Sequence, residues 1–146
     1  IGGTCLTSTY TALGAVDFIS ETVASFDVSR YVILIGIQIF LIFLGMLLDP
    51  GGIIMICTPV FVPLIKTLGF DPVWFGVLFI INMEMSYLTP PLGFNLFYMK
   101  SIVPDSITMV DIYKSVFPFV AIQALCLLII ILFPDLVTWL PNLLIK

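Results

Sequence analysis

Tyr87-Leu88-Thr89-Pro90-Pro91-Leu92-Gly93 sets two consecutive prolines and a glycine between two apolar runs. Residues 72–86 lead into it and residues 94–103 lead out. At about 1.5 Å rise per residue, neither run is long enough to cross a bilayer alone, which takes about 20 apolar residues. Proline lacks the amide that continues a helix, so the chain must break here. A break at membrane depth leaves backbone groups that lipid cannot satisfy. Such breaks persist where protein buries them or where they line a solute or ion site.

The composition supports a lipid environment. Of 146 residues, 61% are hydrophobic and 10% charged, with no histidine, and the mean hydropathy is +1.25. Soluble domains are about 45–50% apolar and about 25% charged. This chain has too little polar surface for water, so it is read as an all-α polytopic membrane protein forming one membrane domain over residues 1–146. The net charge of −4 comes from nine acids and five bases without runs. The absence of a basic patch excludes nucleic acid as a partner. Cys5, Cys57 and Cys126 are widely spaced in apolar sequence and read as small packing or lipid-facing residues. No initiator methionine, basic n-region or cleavage motif opens the chain, so residues 1–20 do not read as a signal peptide. The chain reads as a fragment, a split polypeptide or the ordered part of something larger.

Residues 5–25 are rich in Thr, Ser and Ala, which suits a packed transmembrane helix ending near Asp17 and Glu21. Ser29 is the expected cap of the next element. Residues 31–48 form the cleanest span, with Gln38 as their only polar residue. Asp49-Pro50-Gly51-Gly52 then signals a turn. The following arm, residues 53–66, carries Pro59 and Pro63 and covers only roughly 20 Å before Lys66. Residues 31–66 are therefore expected to form a re-entrant helical hairpin with Asp49–Gly52 at its tip, rather than a kinked, tilted short span.

Asp71 is the expected cap of a helix starting at Pro72, with Trp74 and Phe75 in an interfacial belt. Together with the half-helix 94–103 this gives a broken helix over residues 72–103. Residues 104–114 read as a polar connector with one or two amphipathic turns along the interface. A last transmembrane helix follows over residues 115–133, kinked near Pro118, with an interfacial tail containing Trp139. Arg30 and Lys66 fall on one side, and Lys100, Lys114 and Lys146 on the other. The positive-inside rule does not decide orientation from two against three.

Two acids, Asp49 and Glu84, lie inside apolar sequence. An acid at bilayer depth costs about 2.5–3.5 kcal/mol on insertion scales, so each should face protein or water. Asp49 before Pro-Gly-Gly reads first as a helix cap and second as a cation ligand. Glu84 reads equally as a proton or cation site, or as a packing residue hydrogen-bonded to Asn82, Tyr87 or Thr89. The break itself offers carbonyls and the Thr89 hydroxyl, unwound around Pro90 and Pro91, as hard oxygen donors for Na⁺. The facing half-helix N-terminus and the hairpin tip suit an anionic group. Asn82, Glu84, Tyr87, Pro91 and Asn95 are the substrate-facing candidates. No catalytic residue is expected: an intramembrane di-acid enzyme using Asp49 and Glu84 would lack both a Gly-x-Gly-Asp-like motif and any histidine. A purely structural membrane subunit is the other alternative.

The run Gly45-Met46 … Asp49, Pro59 and Pro63, Gly69 … Asp71-Pro72, Gly76, Asn82 and Thr89-Pro90-Pro91 … Gly93 resembles the C-terminal half of the large membrane subunit of tripartite ATP-independent periplasmic (TRAP) transporters. The resemblance covers about residues 30–141. It implies a sodium-coupled, elevator-type importer of small organic anions in the bacterial inner membrane, built from two inverted repeats of which this chain holds the second. The implied partners are a periplasmic solute-binding protein, a small membrane subunit, the first-repeat half and the bilayer. Na⁺ is the coupling ion, and no other cofactor is implied. The implied topology opens the hairpin to the periplasm and leaves the C-terminus outside. The implied sodium-binding region, mostly backbone oxygens, comprises Gly45, Leu48, Asp49 and Gly52 at the tip and Leu88, Thr89, Pro90 and Gly93 at the break. Met83-Glu84 departs from the family pattern, and the first repeat's half of the solute site is absent.

Overall fold

In the computed structural model the described residues are 29–90 and 93–144, together with Cys5, Thr9, residues 12–14, Phe18 and Glu21. The expected helix over residues 5–25 and its Asp17 end therefore lie, apart from those single residues, outside the described part. Six helices follow in order among the long described stretches: α1 Arg30–Leu47, α2 Pro50–Thr67, α3 Pro72–Tyr87, α4 Phe94–Ile102, α5 Met109–Leu132 and α6 Asp135–Leu144. Three of them, α1, α2 and α5, are long and apolar enough to cross a membrane.

Local chemistry fixes the helix ends. Asp49 accepts from the Gly52 amide at 2.9 Å and precedes proline at the first helical position, so α2 begins at Pro50. This corrects the length of the return arm. Pro50 to Gly52 form the first turn of an 18-residue helix rather than the hairpin tip, which shrinks to Leu48 and Asp49. At about 1.5 Å per residue α2 measures roughly 27 Å and is not too short to span. Pro59 and Pro63 lie within this helix. At its far end Gly69 adopts φ +76°, Gly69 N donates to Lys66 O and Phe70 N donates to Ile65 O, both at 3.0 Å. These two bonds close a Schellman motif that only a residue at ease in the left-handed region allows. Asp71 then caps α3 as expected, accepting from Val73 and Trp74 amides at 2.7 and 3.0 Å.

Other ends differ from expectation. Ser29 precedes α1 but its side chain makes no capping bond. Residues 109–114 are not a separate connector but the first turns of α5. Thr108 and Asp111 form a reciprocal capping box, and α5 runs unbroken for 24 residues through Pro118. The tail after Pro134 is helical, as α6.

The helices pack so that α1 and α3 run parallel and α2 returns antiparallel between their ends. Tyr31 meets Phe70 edge-on near the base of the bundle. Asn82 on α3 reaches Gln38 on α1 in the middle. Toward the far end Gly45 of α1 lies against Ser86 of α3 so closely that a Cβ on Gly45 would stand 2.5 Å from Ser86 Cβ. Leu34, Leu41, Ile53, Ile65, Trp74 and Leu78 are buried in the core between them.

Trp74 and Phe75 are buried at 1% and 3% exposure instead of forming an interfacial belt. The Trp74 indole donates to Ile130 O at 2.9 Å and ties the start of α3 to the end of α5, which makes those two helices antiparallel. A buried indole N–H needs an acceptor, and this carbonyl supplies it. The belt-like cluster is instead Arg30, whose guanidinium stacks over Tyr31 and Phe70 at 5.4 and 5.2 Å. The outer face of α5, including Phe117, Phe119, Ile122 and Leu125, is exposed and apolar, as a lipid-facing surface requires.

Candidate functional site

The site is assembled where two irregular elements reach one level of the bundle. α1 and α3 approach most closely at Gly45 and Ser86, near the end of each helix; Asp49 follows Gly45 by about one turn, and Thr89 follows Ser86 by less than one turn. The hairpin tip and the helix break therefore stand side by side. A cavity of about 350 Å³ opens between them, lined by Pro50, Phe79, Met83, Glu84, Tyr87 and Asn95 among others.

At the break α3 is capped by Leu88, whose amide donates to Met85 O at 3.2 Å, and the Thr89 amide donates to Ser86 O at 3.1 Å. The Thr89 hydroxyl donates to Met85 O at 2.7 Å. Donation occupies its hydrogen and leaves its oxygen lone pairs able to accept a cation. Pro90 is exposed; Pro91 and Leu92 lie outside the described residues. Gly93 resumes the backbone at φ +46° and is buried, with the Thr89 carbonyl 3.2 Å from where a Cβ would stand. The left-handed conformation suits glycine, and a side chain would press on both Leu96 and the Thr89 carbonyl. From Gly93, α4 starts with its amides directed back at the break.

The tip is simpler. Leu48 is extended and Asp49 is exposed, with its carboxylate on the Gly52 amide. The capping reading of Asp49 is thus the one the geometry carries. The carboxylate also lies within about 3 Å of where Cβ atoms of Gly51 and Gly52 would be, at 3.2 and 3.1 Å, which keeps both positions small.

The substrate-facing candidates separate into groups. Glu84, Tyr87 and Asn95 share the cavity wall. Asn82 does not join them: it is fully buried, and its amide donates to Gln38 O at 2.9 Å and to Gln38 Oε1. Ser86 Oγ donates to Asn82 O at 2.6 Å. This Gln38–Asn82–Ser86 knot fixes α1 against α3, next to the Gly45 approach. Gln38 Nε2 is buried and has no partner among the described residues. In the sequence Gln38 stands out only as the lone polar residue of a span. Its role needed the α1–α3 register, although a polar residue inside a span is itself a signal for interhelical bonding. Glu84 is exposed and makes none of the expected bonds to Asn82, Tyr87 or Thr89 among the described residues. Tyr87 is buried and its hydroxyl donates to Met83 Sδ at 3.8 Å, a weak acceptor.

A helical membrane domain with a hairpin tip set beside a broken helix defines a class, the multi-span membrane proteins whose irregular backbone lines a cavity. Comparison with known proteins narrows the class. A family model described as "Tripartite ATP-independent periplasmic transporter, DctM component" matches residues 1–136. The chain belongs to this family of TRAP transporter large permeases. It is 33% identical over 126 residues to the C4-dicarboxylate TRAP transporter large permease protein DctM of Vibrio cholerae, covering 86% of this chain and 27% of that protein. It is 34% identical over 109 residues to the 2,3-diketo-L-gulonate TRAP transporter large permease protein YiaN of Escherichia coli, covering 75% and 25%. It is 34% identical over 117 residues to the sialic acid TRAP transporter permease protein SiaT of Haemophilus influenzae, covering 80% and 19%. The chain spans about a quarter of the length of the curated relatives it matches. The family is one of membrane transporter permeases.

Proposed function

We propose that this chain supplies one ion site and half of a solute site to a sodium-coupled, binding-protein-dependent permease that imports small organic anions across the bacterial inner membrane. The observation that carries the reading is the side-by-side placement of the Leu48–Asp49 tip and the Thr89–Gly93 break. At the break, carbonyls at the end of α3 carry partial negative charge, and the Thr89 oxygen adds a hard donor, which suits Na⁺. The amides opening α4 carry partial positive charge, which suits a substrate carboxylate. A cation held at the break would also screen a nearby anion, so ion and solute binding would favour each other.

In this reading the hairpin α1–α2 is re-entrant, and the helix lengths are compatible with it. Trp74 meets Ile130, and Tyr87 lies roughly 20 Å further along α3 at 1.5 Å per residue. From Ile130 back to Met109, α5 covers roughly 32 Å at the same rise. The tip beside the break would then stop roughly 12 Å before the start of α5, which is compatible with a tip inside a hydrocarbon layer about 30 Å thick. An elevator movement would carry α1 to α4 as a unit, held by the Gln38–Asn82–Ser86 knot. A solute-binding protein would deliver the substrate, while a small membrane subunit and the first-repeat half would complete the assembly.

The test is substrate uptake by the complete transporter in proteoliposomes, with and without an inward sodium gradient. Uptake should require the gradient, and Thr89→Ala should weaken that requirement. A purely structural role predicts that both Thr89→Ala and Asp49→Asn leave uptake and its sodium dependence unchanged.

A further inference from the structure

The cavity between α2, α3 and α4 has an uneven chemistry. Among the described residues that line it, Glu84 is the charged one, Tyr87 and Asn95 are the other polar ones, and none is basic. Glu84 has no hydrogen bond or ion pair among the described residues, although it lies in apolar sequence where an unpaired carboxylate is costly. Tyr87 spends its hydroxyl hydrogen on a sulfur 3.8 Å away, a bond readily exchanged for a better acceptor. Asn95 stands in the first turn of α4, where amide donors and the positive end of the helix favour an anion. The Glu84 side therefore accepts hydrogen bonds and repels negative charge, while the first turn of α4 at Asn95 donates them and attracts negative charge. At about 350 Å³ the cavity is of the size that holds small metabolites.

We propose that this cavity binds a small organic acid carrying a hydrogen-bond-donating group, hydroxyl or ammonium, with Glu84 receiving that group and Asn95 at the start of α4 facing the carboxylate. Glu84 then acts as a specificity determinant. It rewards a donor on the carbon chain and rejects a second carboxylate at the same place, so a dicarboxylate is a poor ligand. The proposal rests on the solute-site reading above but not on sodium coupling.

The experiment is a ligand titration of the intact, full-length transporter membrane complex, followed by thermal melting. Four probes of similar size are used: propionate, lactate, alanine and succinate. Lactate or alanine should bind about tenfold tighter than propionate, the difference a hydrogen bond to a charged acceptor supports, and succinate should bind weakest. Glu84→Gln removes the charge and keeps an acceptor; Glu84→Leu removes both. A preference for alanine lost in both variants identifies an ammonium ligand. A preference for lactate kept in Glu84→Gln and lost in Glu84→Leu identifies a hydroxyl ligand. Succinate should gain in both. Equal or absent binding of all four probes to the wild type overturns the proposal. So does an unchanged ranking in Glu84→Leu, including the case where the variant only lowers the melting temperature because Glu84 pairs with a base elsewhere in the transporter. Running the titration with and without sodium separates this outcome from failure of the coupling.

Discussion

Replacing Gly45 by alanine tests the contact that brings the two irregular elements together. The added Cβ would stand 2.5 Å from Ser86 Cβ and 2.7 Å from Ser86 Oγ, where carbon atoms prefer about 3.5–4.0 Å. α1 must therefore move away from α3 by roughly 1.0–1.5 Å, or the helices must rotate. Overpacking of this kind costs about 1–3 kcal/mol. The shift also pulls on the neighbouring Asn82–Gln38 bonds and moves the hairpin tip relative to the break. The assay is equilibrium unfolding of the full-length permease, with sodium-dependent uptake measured in parallel. Ser86→Gly removes both clashing atoms, so Gly45→Ala with Ser86→Gly should be less destabilised than the sum of the single variants by about 1 kcal/mol or more. Gly36→Ala is the control: nothing lies within 4 Å of its Cβ position, so alanine should be neutral or stabilise α1 by up to about 1 kcal/mol. Wild-type stability in Gly45→Ala, or strict additivity in the pair, would refute the close approach of α1 and α3.

Three further outcomes follow from single contacts. Asn82→Leu strands the Gln38 Oε1 acceptor in the core and should cost about 1–3 kcal/mol, whereas Asn82→Leu with Gln38→Leu should recover much of it, as read by chemical denaturation. Gly69→Ala forces a Cβ into φ +76° and should destabilise the α2–α3 turn by about 1 kcal/mol, visible as faster amide exchange at Phe70. Trp74→Phe loses both the bond to Ile130 O and part of the buried ring, so chemical denaturation should show a loss of about 1–3 kcal/mol.

The break was the most legible feature, because Pro90 and Pro91 cannot continue a helix whatever surrounds them. The Asp71 cap was legible for the same local reason, and so was the pairing of Asp49 with the amides of the return arm. The length of that arm was misread because Pro50-Gly51-Gly52 reads as a loop until proline is placed at the first position of a capped helix. Likewise Thr108 and Asp111 hold a capping-box spacing, yet the polar composition of residues 104–114 outweighed it and hid two turns of α5. The wall of the cavity was partly legible: Glu84, Tyr87 and Asn95 come together, while Asn82 turns to α1. No periodicity distinguishes Asn82 from them, since the choice depends on which face of α3 meets Gln38. Trp74 was misplaced for a similar reason. An aromatic near a helix start fits an interfacial belt equally well until a specific acceptor, Ile130 O, appears beside it.

The central claim is that the break, with its Thr89 oxygen and unwound carbonyls beside the hairpin tip, is a cation site. Equilibrium binding of radioactive sodium to the full-length permease in the absence of substrate tests it most directly. The account predicts saturable binding in the wild type and about tenfold weaker binding in Thr89→Ala, the loss expected for one ligand oxygen at roughly 1.4 kcal/mol. Identical sodium binding in the two proteins would contradict it.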